Sequence, residues 1–336
     1  MRAGRTGEPL TDTEVWFLQH GLPYFVPEER DAARTALHSR RTLLMLAITV
    51  LLSIAGGVAL AWFAEDVAAA PTTVMVVVGI AALAYGATAL RARPIVTWAV
   101  GRTLRSLPQL LPMATRALPL LLVFITFLFI NAEVWEVSAR LDGAVMVLTV
   151  LLFATVAAIF LLVRLPDELD EADDVKDESV LVEACRRTPL ETHAGELLDR
   201  AGRDDIAARA EVRGFEKANL ILVLAIAQAV QVLLLALSVF AFFLLFGAVV
   251  MAEPVQANWT GGTIHHLQWL DHLSVELLQV STFLAAFSGL YFTVYAVTDE
   301  AYRDQFFSGV KRELERAVGV RAVYLALRAE RPDLTG

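Results

Sequence analysis

Residues 218–251 read ANLILVLAIAQAVQVLLLALSVFAFFLLFGAVVM, an uncharged run whose polar side chains are one asparagine, two glutamines and one serine. A bilayer's hydrocarbon core, about 30 Å thick, is crossed by about 20 apolar residues in a helix, where every backbone group is satisfied without water. This run crosses with turns to spare. Helical patterning continues upstream to Asp204 with Gly214 as the sole breaker, which predicts a rod from about Asp204 to Met251, roughly 70 Å long at 1.5 Å per residue. Its first turns therefore stand outside the bilayer.

Outward from this run, comparable apolar segments occupy 42–64, 68–90, 117–137, 143–163 and 273–297. The composition agrees: 57% hydrophobic and 19% charged residues, against about 45–50% and about 25% in soluble domains. Lys and Arg accumulate on cytoplasmic loops. The connections 65–67, 138–142 and 252–272 hold Arg140 as their sole base, and every other base lies in the remaining segments. The expected architecture is all-α, a six-span polytopic membrane helix bundle with both termini inside and a helical cytoplasmic layer. Three Lys against 25 Arg in an Ala-rich chain suggests a GC-rich bacterial genome, hence a bacterial cytoplasmic membrane. The first 40 residues lack the basic start and short apolar core of a signal peptide, so the 42–64 span is expected to act as its own insertion signal. The single Cys185 rules out an intrachain disulfide.

The inside segments divide the chain further. The arm, 1–41, contains EVWFLQHGLPYFVPEER at 14–30, too aromatic for a free tail, and is expected to dock. Residues 91–116 mix Arg91, Arg93, Arg102, Arg105 and Arg116 with Trp98, Val100, Leu104 and Leu107, punctuated by three prolines. That mixture predicts a segment lying in the inner interface, its arginines reaching lipid headgroups. Residues 164–217 open with eight acids between Asp167 and Glu178. Thr188, Pro189 and Glu191 then form the start signal of a helix over 189–201. Two spans at 218–297 follow, and 298–336 carry Tyr302, Phe306, Val310, Leu314 and Val318 at helical spacing, which predicts an amphipathic helix continuing the last span.

Candidate site residues come from polar groups near or inside the spans. His272, Glu276 and Gln279, at i, i+4 and i+7, share one helix face at the start of the last span. Asn131 and Glu133 fall inside the outer end of the third span if its helix is continuous to Val137, with Trp135 as an interfacial anchor. Gln228 and Gln231, three apart, share a face within the fifth. The outer side carries eight acids against Arg140, and the inner side 29 acids against 27 bases, so the outer face would gather cations. His265 and His272 are about 10.5 Å apart along a helix, too far to share an ion, and no metal site or cofactor is expected. Nucleophile elbows, zincin motifs and P-loops are absent, so no enzyme is expected.

Two functional classes follow. One is a homo-oligomeric cation-conducting channel with an acidic outer mouth built from Asn131, Glu133, His272, Glu276 and Gln279, and Gln228 and Gln231 deeper. The other is a non-conducting membrane scaffold or signalling protein whose cytoplasmic helices dock a partner or organise lipid. Membrane lipids and inorganic cations are the expected partners, and nucleic acid is not.

Overall fold

The computed structural model describes residues 9–37, 39–172, 178–195, 212–267, 270–298 and 300–330. Nearly all of it is helical. Four helices precede the centre of the chain: α1 (Pro9–Gln19), α2 (Pro27–Leu37), α3 (Arg40–Ala64) and α4 (Ala69–Thr88). They are followed by α5 (Arg93–Phe129), α6 (Ala132–Ala139), α7 (Gly143–Ala172) and α8 (Glu178–Cys185). The second half holds α9 (Phe215–Val250), α10 (Glu253–Thr260), a short antiparallel pair β1 (His266–Leu267) and β2 (Leu270–Ser274), α11 (Val275–Thr298) and α12 (Glu300–Glu330).

The helices α3, α4, α7, α9 and α11 each contain a stretch long and apolar enough to cross a membrane, and the bent pair α5–α6 would make a sixth span if read as one. Most of their large apolar side chains point outward, among them Leu51, Leu83, Val163, Leu233 and Leu245. Such an outer surface suits lipid and suggests a multi-pass membrane protein. The α3–α4 hairpin closes at Gly57, where a Cβ would lie 2.8 Å from the Ala70 carbonyl oxygen, and it joins α7 through the Thr72 hydroxyl, which donates to Ala144 O at 3.0 Å.

The third span differs from its expected form. The helix stops at Phe129 and restarts at Ala132 with its axis turned by 72°. Asn131 causes the break: its Oδ1 accepts from the N–H groups of Glu133 (2.8 Å) and Val134 (3.3 Å), an N-cap that competes with the helical ladder. Trp135 is fully buried, not interfacial. Its Nε1 donates to Phe129 O at 2.7 Å, holding α6 folded back over the end of α5. Around this corner Ile125, Phe129, Trp135, Val239, Phe243, Leu277, Val280 and Leu284 form one core at the far end of the bundle.

A second core lies at the end carrying both termini. The arm docks, as its aromatics predict: Leu10, Phe17, Leu22, Tyr24, Phe25 and Val26 pack with Ile95 of α5, Leu220 and Leu224 of α9, and Val320, Val323 and Tyr324 of α12. Gly21, at φ +74°, makes the tight passage, its missing Cβ falling 3.1 Å from Trp98 Cβ. Asn219 then fixes the register, accepting from Tyr24 N at 3.0 Å and donating to Gly21 O at 2.8 Å.

Charge closes this layer. Glu216, 5% exposed at the start of α9, accepts from Arg30 of α2 at 2.7 Å and from Arg321 of α12. Tyr324 donates to Glu14 at 2.6 Å and accepts from Arg328 at 2.8 Å. Burial, then the bond to Glu14, raises the Tyr324 pKa, so the hydroxyl keeps its proton and can donate. Arg316 reaches the Ala184 carbonyl at 3.2 Å and lies over the Trp16 ring.

Three further expectations change. The rod begins at Phe215, because Gly214 sits at φ +60° and residues 212–213 are not helical; its 36 residues give about 54 Å, and Asp204 lies outside the described residues. Residues 93–116 are the lower part of the single helix α5, whose Ile95 and Ala99 are buried against the arm. The tail is not amphipathic over its described side chains: from Ala317 to Leu327 α12 is buried nearly all round, as the central helix of the layer. The start signal at Thr188 holds in part. Thr188 Oγ accepts from Leu190 N at 3.3 Å, Glu191 reaches back to Arg187 N at 3.0 Å, and helix is present at 191–195; residues 196–201 lie outside the described ones, as do 173–177 of the acidic run.

Glu216→Gln keeps the volume and leaves Arg321 buried without its counter-charge, which should destabilise by about 3–5 kcal/mol. Cys185 reports this directly, since burial pushes its thiol up to about 12 while Arg316 draws it slightly back. Maleimide labelling of the native protein should be slow and nearly flat between about pH 7 and 9, where an ordinary thiol ionises. In Glu216→Gln labelling should accelerate and the melting temperature should fall. Equal labelling rates and melting temperatures in the two proteins would remove Glu216 from this role.

Candidate functional site

The far end of the bundle gathers most of the polar residues singled out in the sequence. It is a cap assembled from α6, α10, the β1–β2 hairpin and the first turn of α11. Ser274 organises it as the N-cap of α11, accepting from Leu277 N at 3.1 Å and donating to the Gln256 side chain. Gln256 in turn donates to Met251 O at 2.8 Å and so ties α10 to the end of α9. The signal for this cap was present as a serine ahead of an apolar run with an acid in its first turn.

Glu276 is 6% exposed, and its carboxylate is occupied. It faces the His265 Nδ1 at 2.8 Å and accepts from the His265 backbone N–H at 3.2 Å to each oxygen. The Val275 N–H completes the closure, donating to His265 O at 2.7 Å. A carboxylate so placed pins the loop after α10 onto the head of α11. Gln279 donates to Leu141 O at 3.3 Å and fastens the α6–α7 connection to the same helix. Asn131 is spent on capping α6, and Glu133 is exposed on the first turn of that helix. The His272 side chain lies outside the described residues.

These residues are thus brought to one end of the molecule, yet the described ones do not converge on an opening. Beneath them the far core is filled: Phe129 stacks on Phe243 at 4.8 Å between centroids, and Trp135 packs edge-on against Phe129 at 5.5 Å. Trp259 of α10 lies 6.1 Å from Trp135. Among the described residues no cluster of three His, Cys, Asp or Glu could hold a metal ion.

Gln228 and Gln231 sit elsewhere. Gln228 is 1% exposed, and neither its Oε1 nor its Nε2 has a hydrogen-bond partner; the Gln231 Oε1 is likewise buried and unpartnered. Gln228 lies 18 residues, five helical turns, below Phe246, which packs against Phe129 of α5. The pair therefore faces the α5 side of α9. Of the lipid-facing arginines, Arg91 is exposed and paired with Glu29 at 2.6 Å, Arg93 and Arg105 are exposed, and Arg102 is half-buried. The Arg116 side chain lies outside the described residues.

Sequence reasoning missed the groups that join segments: Glu216 with Arg30 and Arg321, and Gln256 with Ser274. Each pairing spans elements distant in the chain, and no spacing rule connects them. No known protein family matches this chain, and no curated protein or solved structure matches it either.

Two substitutions separate the roles here. Glu276→Ala removes the acceptor of the His265 N–H, a loss of about 1–3 kcal/mol for an unsatisfied buried group, and should open 261–274 to protease; His265→Ala, at an exposed ring, should leave cleavage nearly unchanged. Gln228→Leu replaces an unpartnered buried amide by a side chain of similar volume, so thermal unfolding should show no loss and up to about 1–3 kcal/mol of gain. A clear loss would mean that the amide is hydrogen-bonded in the membrane.

Proposed function

We propose that this chain is a non-conducting, six-span membrane scaffold, with both termini in the cytoplasm of a bacterial cell and a folded terminal layer as its working surface. The observation carrying this reading is the filled aromatic core of Phe129, Trp135, Phe243 and Leu277, lying where an acidic mouth would have to open.

The six-span count has support of its own. The arm and α12 pack in one core, so the chain must return to its starting side and the number of crossings is even. Five apolar helices therefore need the α5–α6 unit as a sixth. α5 supports that role, since Ile95 lies in the terminal core and Phe129 in the far one. The excess of bases on the terminal side supports a cytoplasmic placement of that layer. Its exposed α5 face, with Arg93, Val96, Leu104 and Arg105, offers mixed basic and apolar contacts to an anionic lipid or a soluble partner.

One observation favours the rival reading of a cation-conducting, homo-oligomeric channel: the Gln228 and Gln231 amides, buried without partners, are what a hydrated path would leave. The two readings part in a planar bilayer. The purified protein should pass no current above background across voltage, pH and tension. A cation current that vanishes in Gln228→Leu would overturn the scaffold. Single cysteines placed in a Cys185→Ser background and labelled from either side of intact vesicles should put Trp62 and Val255 on one side and Arg93 on the other.

A further inference from the structure

An apolar groove of about 230 Å³ runs between α7, α9 and α11, lined by Ala154, Ala157 and Leu161, by Val232 and Ala236, and by Gly289 among others. It is open along one side. On α7 its lining runs from Val150 to Leu161, about 17 Å of helix and half of a hydrocarbon core of about 30 Å. The groove is thus one leaflet deep, in the half of the bundle nearer the termini.

Its walls select the occupant. Small residues at Ala154, Ala157, Ala158 and Ala236 leave room where larger side chains would close the three-helix seam. The lone hydroxyl of the lining, Thr293, is spent on Gly289 O at 2.8 Å. Nothing in the groove is left to hold a polar ring or an amide, so only hydrocarbon fits. At about 30 Å³ for each water-sized group, the space takes seven or eight such groups, the size of the upper half of a fatty acyl chain. One turn below Leu161 on the same stripe of α7 stands Arg164, the first base after the apolar run, at the depth of the headgroups. A guanidinium there is matched to phosphate, which it can bind through two parallel N–H groups.

We propose that this groove binds one acyl chain of a glycerophospholipid from the leaflet on the terminal side, with the lipid phosphate held at Arg164. The site requires α7, α9 and α11 to cross the bilayer, as in the six-span reading, and holds whether or not ions pass.

Protein extracted in mild detergent from vesicles of equal parts phosphatidylcholine and phosphatidylglycerol should carry one phospholipid per chain in native mass spectra and phosphorus assay. Ala154→Leu with Ala158→Leu fills the groove at two exposed positions and should remove that lipid at least tenfold, with Cys185 still protected from maleimide as proof of folding. Arg164→Gln should weaken retention several-fold and leave a photoactivatable acyl probe still cross-linking within 150–161. Wild type without retained phospholipid, retention unchanged in the filled variant, or an isoprenoid in place of the phospholipid would each overturn the site. Sidedness labelling that fails for α7, α9 or α11 would instead bring down the spanning reading itself.

Discussion

A carboxylate buried at the foot of the longest apolar helix sets the terms for the terminal layer. Glu216 carries a charge that water does not reach, and two guanidiniums from segments at opposite ends of the chain neutralise it. An unpaired charge there would be costly, while the pair itself contributes modestly once desolvation is counted. What the triad supplies is register. Only one relative placement of α2, α9 and α12 brings both arginines to the same carboxylate, and the aromatic contacts of Phe17, Phe25 and Tyr324 then pack around that placement.

The far end solves a different problem by the same means. Where a chain turns at a membrane surface, backbone N–H and C=O groups leave the helical ladder and need partners. Asn131, Ser274, Gln256 and Glu276 supply them one by one. Side chains that look in sequence like an acidic lining are, in the fold, the fasteners of three connections. The interior between the two ends stays apolar and aromatic, apart from the glutamine pair.

Much of the architecture was legible because hydrophobic length is a strong signal. The positions of the apolar runs and the docking of the arm followed from counting apolar residues and noting Trp16, Phe17, Tyr24 and Phe25. The failures share a cause. Gly214, Asn131 and Ser274 are single residues whose local hydrogen bonding or positive φ redirects the chain, and a pattern summed over twenty residues does not register them. Depth arguments for Glu133 assumed a straight helix, so one asparagine moved that carboxylate to an exposed turn. Partners such as Arg30 and Arg321, nearly 300 residues apart, leave no trace in any local window.

The terminal core joins Leu10 to Leu327, so its first strip of sequence has no complete surface to settle on until nearly the whole polypeptide exists. At about 5–20 residues per second, roughly 15–60 s of synthesis separate the arm's emergence from that of its last partner. During that interval an aromatic, apolar segment is exposed at the membrane surface. Biogenesis of this protein thus depends on something shielding its beginning until its end has been made.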